Sequence, residues 1–248
     1  MNNKFYEIKN KSENEIDIMV YGEIISGSDK WDESDVTYKD FSDSLSNLKG
    51  NETVNLYVNS CGGSVIATQG IVAMLQRAKD KGVIINSYID GIGASCSSFL
   101  PLVGNNVYAY NSSLLMVHKP YTITIGNAND LKEQINILDK IENNVMMPIY
   151  MSKAKEGVTE EYLRDLISKE TWLNAKEMAE IFNITILEEN KELVAFIKDK
   201  DILKNYKNIP KALENKIESK IIENTVKDNE ENGIKNEYLK AKLELLLL

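Results

Sequence analysis

Between Val54 and Ile89 the chain reads strand, glycine turn, helix, strand, and this unit restricts the fold more than any other stretch. Val54-Asn55-Leu56-Tyr57-Val58 has the β-branched, apolar character of a buried strand, and Val83 to Ile89 repeats it. Two parallel strands need a crossover of a dozen or more residues. Ala67, Ile71, Leu75 and Ala78 supply its apolar stripe, with Gln76, Arg77, Lys79 and Asp80 opposite. Such a crossover is right-handed and belongs to a domain in which helices cover a sheet.

The alternation continues on both sides of this unit. Ile16 to Val20 precedes it as a strand, Val107 to Tyr110 and Leu114 to Val117 follow, and the α/β pattern persists to about Ile186. Leu131, Ile135, Leu138, Ile141, Val145 and Ile149 share one face of a long helix, with Asn129 or Asp130 as caps and Pro148 kinking or ending it. From Lys191 the apolar residues thin out among Asn, Lys and mixed charges. We therefore expect a domain over residues 1–190 and a charged, partly helical tail over 191–248. In that tail Leu193 to Leu203 and Ala212 to Val226 read as amphipathic helices and Lys227 to Gly233 as a linker. Tyr238 to Leu248 ends in four leucines and reads as a helix whose apolar end packs on a neighbouring chain or is poorly ordered.

Charge and cysteine content narrow the function. With 38 acidic and 29 basic residues the net charge is -9, which repels a phosphate backbone and an anionic membrane surface, so neither nucleic acid nor membrane is an expected partner. Cys61 and Cys96 are too few for a disulfide framework and lack zinc-site spacing, which suits free thiols in a reducing cytoplasm. The N-terminal residues lack the apolar core of an export signal, and no run of about 18 apolar residues occurs. A cytoplasmic location is the expectation. His118 is the sole histidine, so imidazole chemistry has one candidate.

Three stretches carry groups suited to chemistry. In Asn59-Ser60-Cys61-Gly62-Gly63-Ser64 a Gly-Gly pair after a strand offers amides that no Cβ shields, although such pairs are also common plain turns. In Asp90-Gly91-Ile92-Gly93-Ala94-Ser95-Cys96-Ser97-Ser98 a strand stops at a glycine turn and small residues open an apolar helix. Ser95 at that N-terminus is either a helix cap or a hydroxyl whose negative charge the free Cys96 amide and the helix dipole would stabilise. His118 leaves the strand Leu114-Leu115-Met116-Val117 for a loop, and as a general base it would pair with Ser95. The orienting carboxylate would come from Glu170 or Asp165.

Together, Val58-Asn59-Ser60-Cys61-Gly62-Gly63-Ser64-Val65, Gly91-Ile92-Gly93-Ala94-Ser95, Met116-Val117-His118-Lys119-Pro120 and Thr171-Trp172-Leu173-Asn174-Ala175 resemble the Clp-type serine peptidases. More narrowly they resemble the ClpP-related head maturation (prohead) proteases of phages and prophages. The match runs in order from about Asp17 to Ile186. It implies the ClpP/crotonase-like α/β fold of repeated strand-strand-helix units with a protruding helix-strand handle. It further implies Ser95 as nucleophile, His118 as base, Gly63 and Cys96 as the backbone donors of the oxyanion hole, and Glu170 as the acid. Asp165, five residues earlier, would point about 140° away on a continuous helix. Cys61 replaces the family's usual proline, which would loosen the turn aiming Gly63, and Lys119 stands where glutamine is frequent.

The resemblance implies an ATP-independent serine endopeptidase without metal or nucleotide, acting on a polypeptide such as a capsid or scaffold protein. It implies a homo-oligomer, a seven-membered ring or stacked pair of rings, with a substrate-binding strand in Tyr121 to Asn129 and a handle helix from about Leu131. Rival readings are a catalytically inactive assembly or scaffold protein of the same fold, and an acyl-CoA hydratase-like enzyme that holds an oxyanion on paired amides without a serine. As a base His118 must be neutral, so activity should rise with pH near about 6.5, moved upward by a neighbouring carboxylate.

Overall fold

The computed structural model describes residues 6–12, 14–26, 36–46, 48–188, 206–211 and 213–215. The chain divides into two compact units, Met1–Phe196 and Ile197–Leu248. In the second, the Pro210 carbonyl accepts from the Leu213 and Glu214 amides and closes one helical turn. The expected helix at Leu193 to Leu203, the linker, the Leu-rich end and all of Ala212 to Val226 except this turn lie outside the described residues.

The first unit opens with β1 (Tyr6–Ser12), β2 (Glu15–Val20) and a small parallel pair, β3 (Ile24–Ile25) with β4 (Val36–Thr37). A capping box between Thr37 and Asp40 starts α1 (Tyr38–Leu45). Next come β5 (Thr53–Ser60), α2 (Val65–Asp80) and β6 (Ile84–Ala94), the crossover expected from the sequence. The Ser64 hydroxyl accepts from the Ala67 amide to begin α2, and Ala67, Ile71, Leu75 and Ala78 all face inward. A 3-10 turn (Ser95–Ser98) leads into α3 (Phe99–Val103), followed by β7 (Asn106–Tyr110) and β8 (Leu114–Val117). The remainder is α4 (Ala128–Ile141), a π turn (Glu142–Met146), α5 (Met147–Lys153), α6 (Glu160–Ser168), β9 (Thr171–Asn174), α7 (Ala175–Ile181) and β10 (Thr185–Leu187).

The sheet runs β1-β2-β5-β6-β7-β10, parallel from β2 onward, with β8 joined parallel to β6 and antiparallel to β9. Its long strand is β6. The first half of β6 lies between β5 and β7, and its end pairs with β8, so one strand serves two parts of the sheet. Two apolar cores result. One packs Ile18, Leu56 and Ile85 against Phe41, Ile71 and Leu75. The other gathers Phe99, Leu102, Leu115, Tyr150 and Phe182 around α3. Burying each such side chain stabilises the fold by about 1.5–3 kcal/mol.

Four local expectations change. β6 continues through Gly91 and Gly93 to Ala94 instead of stopping at Ile89, because β8 supplies a partner for that extension. α4 is capped at Asn127, whose side chain accepts from the Asn129 and Asp130 amides. The helical path is interrupted before Pro148 rather than at it: Met147 donates to the Glu142 carbonyl across a π turn. An α-helical turn there would set the proline ring against the Asn144 carbonyl. The strand expected within Tyr121 to Asn129 is also missing, since no described strand lies alongside to complete its ladder, and Ile123 and Ile125 are over 90% exposed (92% and 98%).

Candidate active site

The end of β6 is aimed by a register slip. Val58 faces Ile89, yet Ser60 faces Gly93, so β6 carries two extra residues there. The slip leaves the Ile92 amide off the ladder, and the buried Asn59 side chain accepts from it at 3.1 Å. Tyr21 donates its hydroxyl to the Asp90 carboxylate within the same bulge. These contacts set the direction in which β6 delivers Ser95.

Ser95 has φ 56 and Glu170 φ 52, and among the described residues no other non-glycine residue has a positive φ. Left-handed backbone at non-glycine residues is held in place by its surroundings and concentrates at functional positions. The next two serines are occupied structurally. Ser97 donates to the Ser60 and Ala94 carbonyls at 2.6 and 2.7 Å. Ser98 donates to the Ser95 carbonyl and shares a 2.8 Å hydrogen bond with Tyr150. Neither α3 nor the preceding 3-10 turn has a side-chain cap, so the capping alternative for these serines is not realised.

His118 Nε2 lies 2.7 Å from Ser95 Oγ. The histidine is 8% exposed, with Tyr121 edge-on to its ring at 5.7 Å between centroids. Burial holds its pKa below the ordinary imidazole value and outweighs the opposing pull of Glu170. The upward displacement expected from the carboxylate is thus reversed, because desolvation of the imidazolium is the larger effect. With the proton on Nδ1, Nε2 accepts from the serine hydroxyl.

The two acid candidates separate clearly. In the antiparallel pairing of β8 and β9 the last partners are Val117 and Thr171, so His118 and Glu170 each adjoin that end of the ladder, and the Glu170 charge acts on the imidazole. Asp165 sits on α6, half exposed, with its carboxylate 2.6 Å from Lys169 Nζ. The helical geometry expected to relate them does not apply. α6 ends at Ser168, and Glu170 takes its direction from its own left-handed backbone.

Gly62 and Gly63 pack directly beside the serine. A Cβ on Gly62 would lie 2.8 Å from the Ser95 Cβ and from the Ala94 carbonyl. The turn is tied on both sides despite Cys61: Ser60 Oγ accepts from the Gly62 amide and donates to the Gly22 carbonyl, while the Ile24 amide donates to Gly62 and its carbonyl accepts from Ser64. The Gly63 backbone acts on the Cys96 thiol and opposes the effect of its burial. Burial pushes the Cys96 thiol up to about 11 and Cys61 up to about 12, which keeps both protonated near neutrality.

Gly63 has φ 137, and a Cβ there would stand 2.2 Å from the Ile24 carbonyl oxygen. Gly63→Ala should therefore cost on the order of 1–3 kcal/mol in backbone strain alone. A thermal melt should show the loss as a lowered Tm. An unchanged melt would mean the turn tolerates what the geometry forbids.

The sequence places Asn59 only at the start of the glycine turn, without its part in the bulge, and does not single out Tyr21. The alternation of polar and apolar residues carries no mark of a register slip, although an Asn before the glycine turn was visible.

A family model described as Clp protease matches residues 3–182. The ATP-dependent Clp protease proteolytic subunit of Porphyromonas gingivalis is 29% identical over 144 residues, covering 56% of this chain and 61% of that protein. The ATP-dependent Clp protease proteolytic subunit 2 of Nocardia farcinica is 30% identical over 131 residues, covering 51% of this chain and 61% of that protein. The chain thus spans about three fifths of the length of these relatives.

Proposed function

The chain belongs to the Clp protease family, and on that premise we propose that it is a serine endopeptidase using Ser95, His118 and Glu170. The observation that carries this reading is the 2.7 Å contact between the strained Ser95 and the buried His118. Ser95 Oγ attacks the scissile carbonyl while His118 Nε2 takes its proton. The backbone amides of Gly63 and Cys96 hold the oxyanion, and Glu170 steadies the imidazolium. His118 returns the proton to the leaving amine as the C–N bond breaks, leaving an acyl-Ser95 ester. Water, deprotonated by His118, then attacks the ester and frees the serine. No step asks for a nucleotide, so hydrolysis itself is ATP-independent.

The substrate is a polypeptide, and the motif resemblance favours phage or prophage head maturation, with a capsid or scaffold protein cut in the cytoplasm. A homo-oligomeric ring, seven-membered and single or stacked, suits the outward apolar side chains of α4, where Leu131, Ile135 and Ile137 are 41–57% exposed. The domain of residues 1–190 carries the reaction and residues 191–248 form an appended tail. The hydratase-like reading leaves the Ser95–His118 contact without a purpose.

Incubation with an unfolded polypeptide, followed by mass spectrometry of the fragments, tests the reading. New termini from internal amide cleavage are expected, and co-expression with a capsid protein should give one discrete shortened product. An intact polypeptide after prolonged incubation at micromolar enzyme would overturn it.

The pH dependence follows from the burial of His118. The base works only when neutral, and its pKa is lowered, so kcat/KM should rise with pH to a half-maximum below about 6.5. In Glu170→Gln the raising influence is gone, and the residual activity should have its midpoint lower still. A midpoint above that of free imidazole would show that the carboxylate, not burial, dominates.

A further inference from the structure

Glu142 is a carboxylate only 7% exposed that the reaction above does not use. It opens the π turn at the base of α4. One extra residue in a helical turn rotates the following side chains by about 100°. α4 itself buries no residue, whereas Glu142 and Met146 face inward.

Two cations meet this carboxylate from different elements. Lys119 Nζ lies 3.2 Å from Oε2 and Arg164 Nη1 3.1 Å from Oε1. Arg164 is held in turn by Glu160, one turn back on α6. Lys119 directly follows His118, and α6 is the helix whose end delivers Glu170. A single side chain therefore joins the segment leaving the base to the helix leading to the acid. A buried carboxylate is costly without such partners, and without it Lys119 and Arg164 would repel each other across the gap.

We propose that Glu142 is a positioning residue: by clamping Lys119 and Arg164 it fixes the His118 segment against α6 and so holds His118 and Glu170 together. The proposal rests on the serine peptidase function above. Glu142 touches no reacting atom, so its effect is on geometry. Displacement of a catalytic group by about 1 Å costs up to a hundredfold in rate.

The test uses the full chain and a fluorophosphonate, following both the rate constant and the final extent of Ser95 modification. In Glu142→Gln the maximal rate constant should fall about ten- to a hundredfold while the probe's half-saturating concentration and the final extent stay at wild-type values. A merely structural role would lower the extent, through unfolded protein, and leave the rate constant of the folded fraction unchanged. Lys119→Met, at a half-exposed position, tests the clamp should Glu142→Gln fold poorly. It should slow modification, and the double variant with Glu142→Gln should be slowed by less than the two separate effects combined, because both changes break the Lys119 contact. Wild-type rate constants in folded Glu142→Gln or Lys119→Met, or fully additive effects, would overturn the proposal alone. Failure of the wild-type chain to react at Ser95 would overturn the peptidase reading and the proposal with it.

Discussion

Ser95→Ala should leave a folded chain whose peptide hydrolysis is lower by roughly 10⁴- to 10⁶-fold. In the proposed mechanism the hydroxyl's hydrogen bond to His118 is part of the reaction, and the backbone at φ 56 is as accessible to alanine as to serine. The change in stability should stay within about 1 kcal/mol, so circular dichroism and melting should match the wild type. Undiminished turnover would send the search to the neighbours, where the chemistry is poorer. Ser97 spends its proton on two carbonyls, and Cys96 has a thiol pushed up to about 11.

Glu170→Gln is the second large effect. In the proposed mechanism Glu170 holds Nδ1, and an amide there can present the wrong group and cannot balance the imidazolium, so kcat should fall by about 10⁴-fold with the fold intact. Asp165→Asn should be nearly silent, because that carboxylate is bound to Lys169 at the surface and such exposed pairs contribute only about 0–1 kcal/mol. Steady-state kinetics of the two variants decide the matter. A large loss in Asp165→Asn with normal rates in Glu170→Gln would reverse the assignment. Normal rates in both would leave a dyad of Ser95 and His118 oriented by another group.

The parts of the fold that follow from side-chain periodicity were legible in the sequence. Ala67, Ile71, Leu75 and Ala78 lie on the buried face of α2, and Leu114 to Val117 form β8 as read. Ser95 and His118 were legible as candidates because one opens a helical turn after a glycine-rich strand end and the other stands where a strand gives way to a loop. What escaped depends on pairing and on single dihedrals. The extension of β6 to Ala94 requires β8 beside it, and the slip that Asn59 satisfies belongs to two strands jointly. The direction of Glu170 comes from one left-handed residue after α6, which no periodicity encodes. The π turn that brings Glu142 inward is tied to Pro148, whose effect was expected at its own position and falls just before it. The sign of the His118 shift depended on burial, a property of the packed core and not of its neighbours in the chain.

The proposed mechanism requires Ser95 to be an activated nucleophile. Treating the chain with a fluorophosphonate near neutral pH, digesting it and mapping the adduct by mass spectrometry measures that property on the residue itself, since the probe captures only a serine whose hydroxyl is activated. A single phosphonylated site at Ser95, lost in His118→Ala, is the predicted result. No adduct on the folded wild-type chain, or an adduct at another residue with Ser95 unmodified, would contradict the account.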